Sequence, residues 1–475
     1  MKIRAFQRLQ KLVAFDGRIL ILGFGGVGQT ILPMVLRHFD CDPSKISVVE
    51  KDDHQLLFDS KYGRTGVVYE ILEVTKVNFQ EFMQSHLEAG DLLINVSLNI
   101  DGIEIVEWCL QHSVLYIDTS IERWPDEPDE LIPDMGERTL YHTHQEIRKL
   151  KARYPQGATS VVTHGANPGL VSHFAKAALL DIAAAVGLKA NPKSRAEWAL
   201  LAKDLDIKVI HIAERDTQLL DLPKRVNEFV NTWSCEGFWA EGRAPAELGW
   251  GTHETKLPAN GEGHDYGPKN SIYLKQPSVS VLLKSWVPKG GAYNGFCVQH
   301  SESITLSEYL STADYRPSVY YVYCPSDAAV ASVHEFRGRE LDMQSQCRVA
   351  KTEIVSGIDE LGVLLMGHAK NTWFYGSQLG IEESNRLLPG EGPTTVQVGA
   401  SMLGALVWMI NNPTMGYCEP EDLPHAYVLK YARPYLGPVV SVASEWRPTQ
   451  DRNTLFPNKV DADNPWVFAN FQIAS

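Results

Sequence analysis

The stretch Arg18-Ile-Leu-Ile-Leu-Gly23-Phe24-Gly25-Gly26-Val27-Gly28 narrows the possible folds more than any other part of the chain. A short apolar run ends in G-x-G-x-x-G, and helix-forming sequence follows. That order reads as buried strand, tight turn and helix, the opening unit of a dinucleotide-binding βαβ fold. Gly23 permits the turn. Gly25 lets backbone approach a pyrophosphate, and Gly28 lets the helix pack close to the strand, with the helix N-terminus facing the anion. A second apolar run, Ile46-Ser-Val-Val-Glu50, ends in an acid 22 residues beyond Gly28. A carboxylate there holds the hydroxyls of an adenosine ribose and repels a 2′-phosphate, so the cofactor expected is NAD rather than NADP. A plain glycine turn in a βαβ unit is the alternative; the ordered strand, turn, helix and acid weigh against it.

The same rhythm continues. Strands are expected at 18–22, 46–50, 66–70, 91–96 and 114–118, and helices at 26–38, 53–62, 77–87 and 101–112. Short apolar strands alternating with helices predict a doubly wound parallel sheet covered on both faces. Ligands of such sheets lie outside the carboxyl ends of the strands. Ser97, Asp118, Thr119 and Ser120 stand at two of those ends and are expected to line the cofactor crevice, although each singly also suits a capping or loop role.

Residues 123–137, rich in Pro, Asp and Glu, read as a loop or lid. A polar helix at 138–153, a strand at 158–164 and an apolar helix at 170–186 follow. Beyond 205, strands at 206–213, 271–274, 279–283, 293–299 and 319–323 between Gly- and Pro-rich turns predict a second, largely antiparallel domain. Long helices are scarce there until 327–334. A helix over 394–410 stops at Asn411-Asn412-Pro413, and a Pro-rich, aromatic tail is expected to pack on the body or on a second subunit. The organisation expected is a Rossmann domain over 1–165, an α+β substrate domain over 166–390, and a C-terminal helix and tail over 391–475.

A net charge of −14 argues against nucleic acid as a partner and is compatible with a cationic substrate, though many proteins are equally acidic. The seven cysteines are scattered, with no C-x-x-C and no His/Cys cluster at zinc spacing, so no metal site and a reducing compartment are expected. The start of the chain is polar and has no apolar signal core, and no run reads as a membrane span. The cytoplasm is the expected location.

Five segments carry candidate chemistry. In His211-Ile-Ala-Glu214-Arg215-Asp216-Thr-Gln218 a strand runs into several charges, and Glu214 is placed to anchor an ammonium or to act as a base; a surface salt-bridge cluster is the alternative. Asn231-Thr-Trp233-Ser-Cys-Glu236-Gly-Phe-Trp239-Ala-Glu241-Gly-Arg243 combines Trp faces with acids, which would suit a cation, or else core tryptophans beside exposed acids. Asn167-Pro168-Gly169 orients a nicotinamide amide or a substrate, or merely caps a helix. His300 follows an expected strand, where a single histidine is more often structural than catalytic. Asp359 precedes another strand and either closes a pocket or sits in a turn. His142 and His144, two apart on a helix, face different ways and read as non-functional.

Taken together these residues resemble bacterial homospermidine synthases along essentially the whole chain. The likeness rests on Gly23–Gly28, Asp118-Thr-Ser-Ile-Glu122, His164-Gly-Ala-Asn-Pro-Gly-Leu-Val-Ser172, His211–Gln218, Asn231-Thr-Trp-Ser-Cys-Glu-Gly-Phe238 and Asp359-Glu-Leu-Gly-Val-Leu-Leu-Met-Gly367. More distantly the chain is similar to saccharopine and carboxynorspermidine dehydrogenases. The resemblance implies NAD-dependent aminobutyl transfer without net redox change. Putrescine (or spermidine) gives up hydride and becomes an imine, the nitrogen is exchanged, and the hydride returns to yield homospermidine. It further implies Glu214, Trp233, Asn167 and Glu122 as catalytic residues. Glu241, Glu236, His300 and Asp359 would bind the diamine, and a homodimer is implied. Two rivals remain: a reductase of the saccharopine type, which would need an Arg such as Arg215 or Arg243 for a carboxylate, and a non-catalytic NAD-binding regulator.

Overall fold

The computed structural model describes residues 11–125, 131–450, 452, 455 and 460–473. Residues 126–130 of the expected loop at 123–137 lie outside them.

Two sheets organise the chain. The first is seven-stranded and wholly parallel. It contains β1 (Ile19–Leu22), β2 (Ile46–Glu50), β3 (Val68–Ile71), β4 (Leu92–Asn95), β5 (Leu115–Asp118) and β6 (Ser160–Val161) in the spatial order β6-β5-β4-β1-β2-β3. This is the doubly wound order, with the strand sequence reversing beside β1. Helix α1 (Gly26–His38) follows β1 as anticipated. A seventh strand arrives from far along the chain: Tyr417–Cys418 pairs in parallel with β6.

The second sheet has ten strands. Its centre is β7 (Val209–Asp216), flanked by a parallel neighbour from Ser318–Cys324 and an antiparallel one from Ile358–Met366. The other pairings of this sheet are antiparallel, including the edge strand Val439–Ser444. Segments beyond 411 therefore contribute to both sheets.

Alternation on β7 sorts its side chains between two cores. Ile210 and Ile212 face α2 (Leu170–Ala185) and α4 (Pro393–Asn411, with α3, Cys235–Arg243, between them in the chain). Val209 and Ala213 belong to a second core that includes Phe468 and Phe471 from the tail. Each fully buried Ile, Leu or Val in these cores stabilises the fold by roughly 1.5–3 kcal/mol.

Helix α4 starts with Pro393 at its first position, where a missing N–H costs nothing. It packs so close to α1 that a Cβ on Gly399 would come within 2.6 Å of Thr30 Cγ2. Contrary to the expectation that no run is long or apolar enough to span a bilayer, its 19 residues meet that test. The helix is 83 % buried inside the protein, however, so its apolarity serves the core.

Other expectations need correction. The helix expected at 138–153 is two, Leu140–Ile147 and Lys149–Arg153. The break falls at Arg148, whose guanidinium reaches Glu308 and Glu419. The strand expected at 158–164 shortens to Ser160–Val161. A helix at Arg195–Asp204, not anticipated, begins with a Ser194/Glu197 capping box. His144 is fully buried against Glu419.

Candidate active site between the two sheets

The glycine turn is built as its spacing requires. Gly23 has φ +97, and a Cβ on Gly28 would lie 2.1 Å from the Gly23 carbonyl oxygen, so only glycine fits. A Cβ on Gly25 would meet nothing within 4 Å. That open space lies beside the N-terminus of α1, which has no acid in its first turn and no side-chain cap. Unsatisfied amides, open space and a positive helix end together fit a pyrophosphate.

Glu50, at the carboxyl end of β2, accepts the Phe24 amide at 2.6 Å and the Lys51 amide at 2.8 Å. It therefore braces the loop while standing where a ribose would lie. Phe24 turns its ring into an aromatic cluster with Phe58 and Tyr69, so its part in the loop is played by backbone. Gly26 and Val27 open α1. Ser97, Thr119 and Ser120 are half-buried at the strand ends. Asp118 corrects the expectation that it lines the crevice. It is 1 % exposed, and its oxygens accept the Thr163 amide (2.5 Å) and the Tyr116 hydroxyl (2.7 Å). Burial raises its pKa to about 7. The carboxyl group ties β5 to the next strand.

Opposite this crevice the second sheet presents one polar face. Register pairs Glu214 with Tyr323 and Leu361, and Asp216 with Asp359, so these side chains share a face with Tyr321. The Tyr321 hydroxyl donates to Glu214 Oε2 at 2.7 Å, and Asn167 Nδ2 reaches the same oxygen at 3.5 Å. Asn167 belongs to the turn between β6 and α2, so this contact joins the two sheets. His300 Nε2 lies 3.2 Å from the Asn167 carbonyl oxygen and 3.9 Å from Glu241 Oε1. Trp233 donates its indole N–H to the Tyr323 hydroxyl at 3.0 Å, and the Tyr321 and Tyr323 rings stack. Glu214, Asn167, His300, Glu241, Tyr321, Tyr323 and Trp233 thus form one connected group. Glu122 accepts the Ser120 hydroxyl at 2.8 Å, and its charge acts on Glu241. Asp359 accepts the Thr394 hydroxyl at 2.6 Å.

Glu236 is the exception. It is exposed near the start of α3, five residues and so about 140° around the helix from Glu241. The face that carries Glu241 toward His300 turns Glu236 outward, away from the cluster.

Three participants escaped the sequence reading. Glu302 is 1 % exposed and accepts the Gly169 amide at 2.8 Å. Tyr321 and Tyr323 sit two apart on a strand, and that period was the only available signal for them.

The electrostatics are one-sided. Burial raises Glu214 to about 7, helped by the nearby Asp216 charge, and raises Asp216 itself to about 6 and Glu302 to about 8. Glu241 is pushed up by burial and by Glu122, Glu214 and Glu302, and Asp359 by burial, Glu214 and Asp216. His300 is held down to about 4 by burial, so it is neutral. Among the described residues no Lys or Arg pairs with Glu214, Asp216, Glu241, Glu302 or Asp359. The buried atoms Asn167 Oδ1, His300 Nδ1, Glu241 Oε2, Glu302 Oε2 and Asp359 Oδ1 have no hydrogen-bond partner among the described residues. Arg215, one residue along β7 from Glu214, points to the opposite face and donates to the Gly290 carbonyl. Arg243 lies over the Trp239 ring. A buried carboxylate group beside aromatic faces, without its own cation, is suited to an organic cation.

Residues 19–162 match the saccharopine dehydrogenase NADP binding domain, and residues 165–442 match the saccharopine dehydrogenase C-terminal domain. Saccharopine dehydrogenase (L-Glu forming) from Saccharomyces cerevisiae has the same fold at 13 % identity, with a TM-score of 0.52 over 90 % of this chain and 100 % of that one. The molecule therefore belongs to the saccharopine dehydrogenase class, matched by one family model in its N-terminal third and another over most of the remainder. Closer likenesses narrow this. Homospermidine synthase from Blastochloris viridis is 43 % identical over 96 % of this chain and 97 % of that one, and the one from Mesorhizobium japonicum is 38 % identical over 96 % of each. The crystal structure of homospermidine synthase from Legionella pneumophila, in complex with NAD, superposes with a TM-score of 0.91 at 41 % identity, covering 97 % of this chain and 98 % of that one. The chain belongs to the homospermidine synthase family.

Proposed function

We propose that the protein transfers an aminobutyl group between amines, with NAD as a cofactor retained through the cycle. Two putrescines yield homospermidine and ammonia, or spermidine and putrescine yield homospermidine and 1,3-diaminopropane. The observation that carries this reading is the buried carboxylate cluster with its aromatic wall, where no described Lys or Arg pairs with Glu214, Asp216, Glu241, Glu302 or Asp359, facing a glycine turn open to a pyrophosphate. The Glu50 carboxylate, which repels a 2′-phosphate, favours NAD over NADP.

When bound, the nicotinamide supplies a hydride acceptor and then a hydride donor. The protein's own residues manage protons and position. Hydride leaves a carbon only when its amine nitrogen is neutral, so a base must first take the ammonium proton. Glu214 has that role: burial brings it near neutrality, and Tyr321 and Asn167 hold its carboxylate by hydrogen bonds. Glu122 and Asn167 orient the reacting end. The Trp233 ring stabilises the cationic imine of the substrate, and this fixed arrangement suits charge that appears only during reaction. Glu241, His300, Glu302 and Asp359 hold the distal ammonium. The same carboxyl group of Glu214 returns a proton to the departing nitrogen.

The homodimer, the cytoplasmic location and the three-part division at 165 and 390 complete this reading. It is tested by incubating the protein with NAD and putrescine and detecting a triamine by mass together with free ammonia. Homospermidine without net NADH formation is expected. Stoichiometric NADH consumption with a keto acid would instead favour a saccharopine-type reductase.

A further inference from the structure

The proposed cycle makes one demand that the catalytic cluster does not meet: the dinucleotide must not leave between losing and regaining its hydride. A chain of polar contacts away from the carboxylates spans the segments around its seat. Gln29, on the first turns of α1, donates its amide to the Phe24 carbonyl at 2.9 Å, inside the glycine turn. Its Oε1 accepts from Lys351 Nζ at 3.0 Å. Lys351 also pairs with Glu391 Oε2 at 3.1 Å, and Lys61, from the helix Gln55–Tyr62, approaches Glu391 Oε1 at 3.6 Å. The Glu391 side chain is 3 % exposed, while those of Lys351 and Lys61 are 22 % and 36 % exposed, so the carboxylate is buried and the ammonium ends reach toward solvent.

Each segment in this chain also touches a ligand-facing part of the protein. Ala350, next to Lys351, donates its amide to the Asn231 carbonyl at 2.7 Å, two residues before Trp233. Glu391 leads into Thr394, which holds Asp359, and into Thr395, whose Cγ2 would lie 3.3 Å from a Cβ on Gly26. Lysines from both sides of the cleft thus meet on one buried carboxylate.

We infer that Lys61, Glu391, Lys351 and Gln29 form an ionic clasp that closes the second domain over the glycine turn and retains the dinucleotide between the two hydride steps. They are positioning residues, and the inference rests on the aminobutyl-transfer reading. Opening the clasp has a defined chemical consequence. The amine R–CH2–NH3+ and NAD+ give R–CH=NH2+, NADH and H+. If NADH then escapes, water converts the imine to the aldehyde R–CHO and NH4+, and no triamine forms. A transferase would become a leaky amine dehydrogenase.

The test uses Glu391→Gln and Lys351→Met, with Lys351→Arg as the conservative variant, in the NAD-loaded full chain. The readouts are NAD retained after rapid desalting, NADH appearing at 340 nm per homospermidine formed, and the thermal melt. Glu391→Gln and Lys351→Met are expected to lose NAD on the order of tenfold faster than the parent, equivalent to about 1.4 kcal/mol. They should also release NADH and aldehyde with putrescine, while Lys351→Arg largely restores retention. Folded variants that retain NAD like the parent and leak no NADH overturn the clasp. A lowered melt with unchanged retention and no leak does the same, since it marks a merely structural ion pair. A parent protein that makes no homospermidine would instead overturn the functional reading.

Discussion

The two ligand-facing regions are built from different materials. The glycine turn relies on backbone: amides at the start of α1, a Gly25 with open space beside it, and a Gly28 that could carry no Cβ. Its determinants lie within a few residues, and their chemistry suits an anion. The facing cluster is made of side chains drawn from Asn167, Glu214, Trp233, Glu241, His300 and Asp359, and its chemistry suits cations. A backbone site binds a part common to many cofactors, whereas a side-chain site selects the substrate. The pair explains how one class of fold hosts different reactions on a shared cofactor.

The largest effect expected from separating these regions is at Glu214. Glu214→Gln should lower kcat by about 10²–10⁴-fold, the span usual for a general base, while NAD remains bound. Turnover near the parent level would assign the base elsewhere, and loss of NAD would show that the regions are not independent. The converse experiment is Gly25→Ala. The added methyl meets no protein atom, so the melt of the cofactor-free protein should hardly move, while NAD affinity falls about tenfold or more. Titration calorimetry against NAD decides it, and unchanged affinity would place the pyrophosphate elsewhere.

A third test concerns pH. Glu214, Asp216 and Glu302 have folded pKa values raised to about 7, 6 and 8, above their unfolded values. The folded chain therefore keeps protons that the unfolded chain releases. The stability this represents is fully present below the ordinary carboxylate range and is lost as pH rises through about 6 to 8. The ligand-free melt should fall between pH 5 and pH 8, and saturating putrescine, which supplies the missing cations, should flatten that slope. A putrescine-independent slope would mean that the diamine binds away from the cluster. The smallest effect is expected at Glu236, whose outward position predicts less than about a twofold change in kcat/KM for Glu236→Gln, under about 0.5 kcal/mol of transition-state stabilisation. A larger loss would return it to the site.

Legibility in the sequence followed the range of the interactions. β1, α1 and β2 could be read nearly residue by residue, because burial, turn and helix start are set by neighbours a few positions apart. The Arg195–Asp204 helix was equally local, and its Ser194/Glu197 cap was there to be read. The break at Arg148 was not: its backbone stays helical, and its side chain meets Glu308 and Glu419 from distant segments. Glu302 is hidden for the same reason, and for Tyr321 and Tyr323 the two-residue spacing marks a shared strand face without naming the partner that face meets.

By itself the sequence determined a parallel dinucleotide-binding sheet with its glycine turn and terminal acid, and an acidic net charge compatible with a cationic substrate. These rest on periodicity, backbone freedom and net charge, all carried by short stretches. Tertiary structure alone decided which acids share one buried face, which of them pair with no described Lys or Arg, that Asp118 braces a strand while Glu236 faces out, and that Lys61 and Lys351 converge on Glu391. Burial and charge pairing depend on distances between segments far apart in the chain, and only the packed molecule sets those distances.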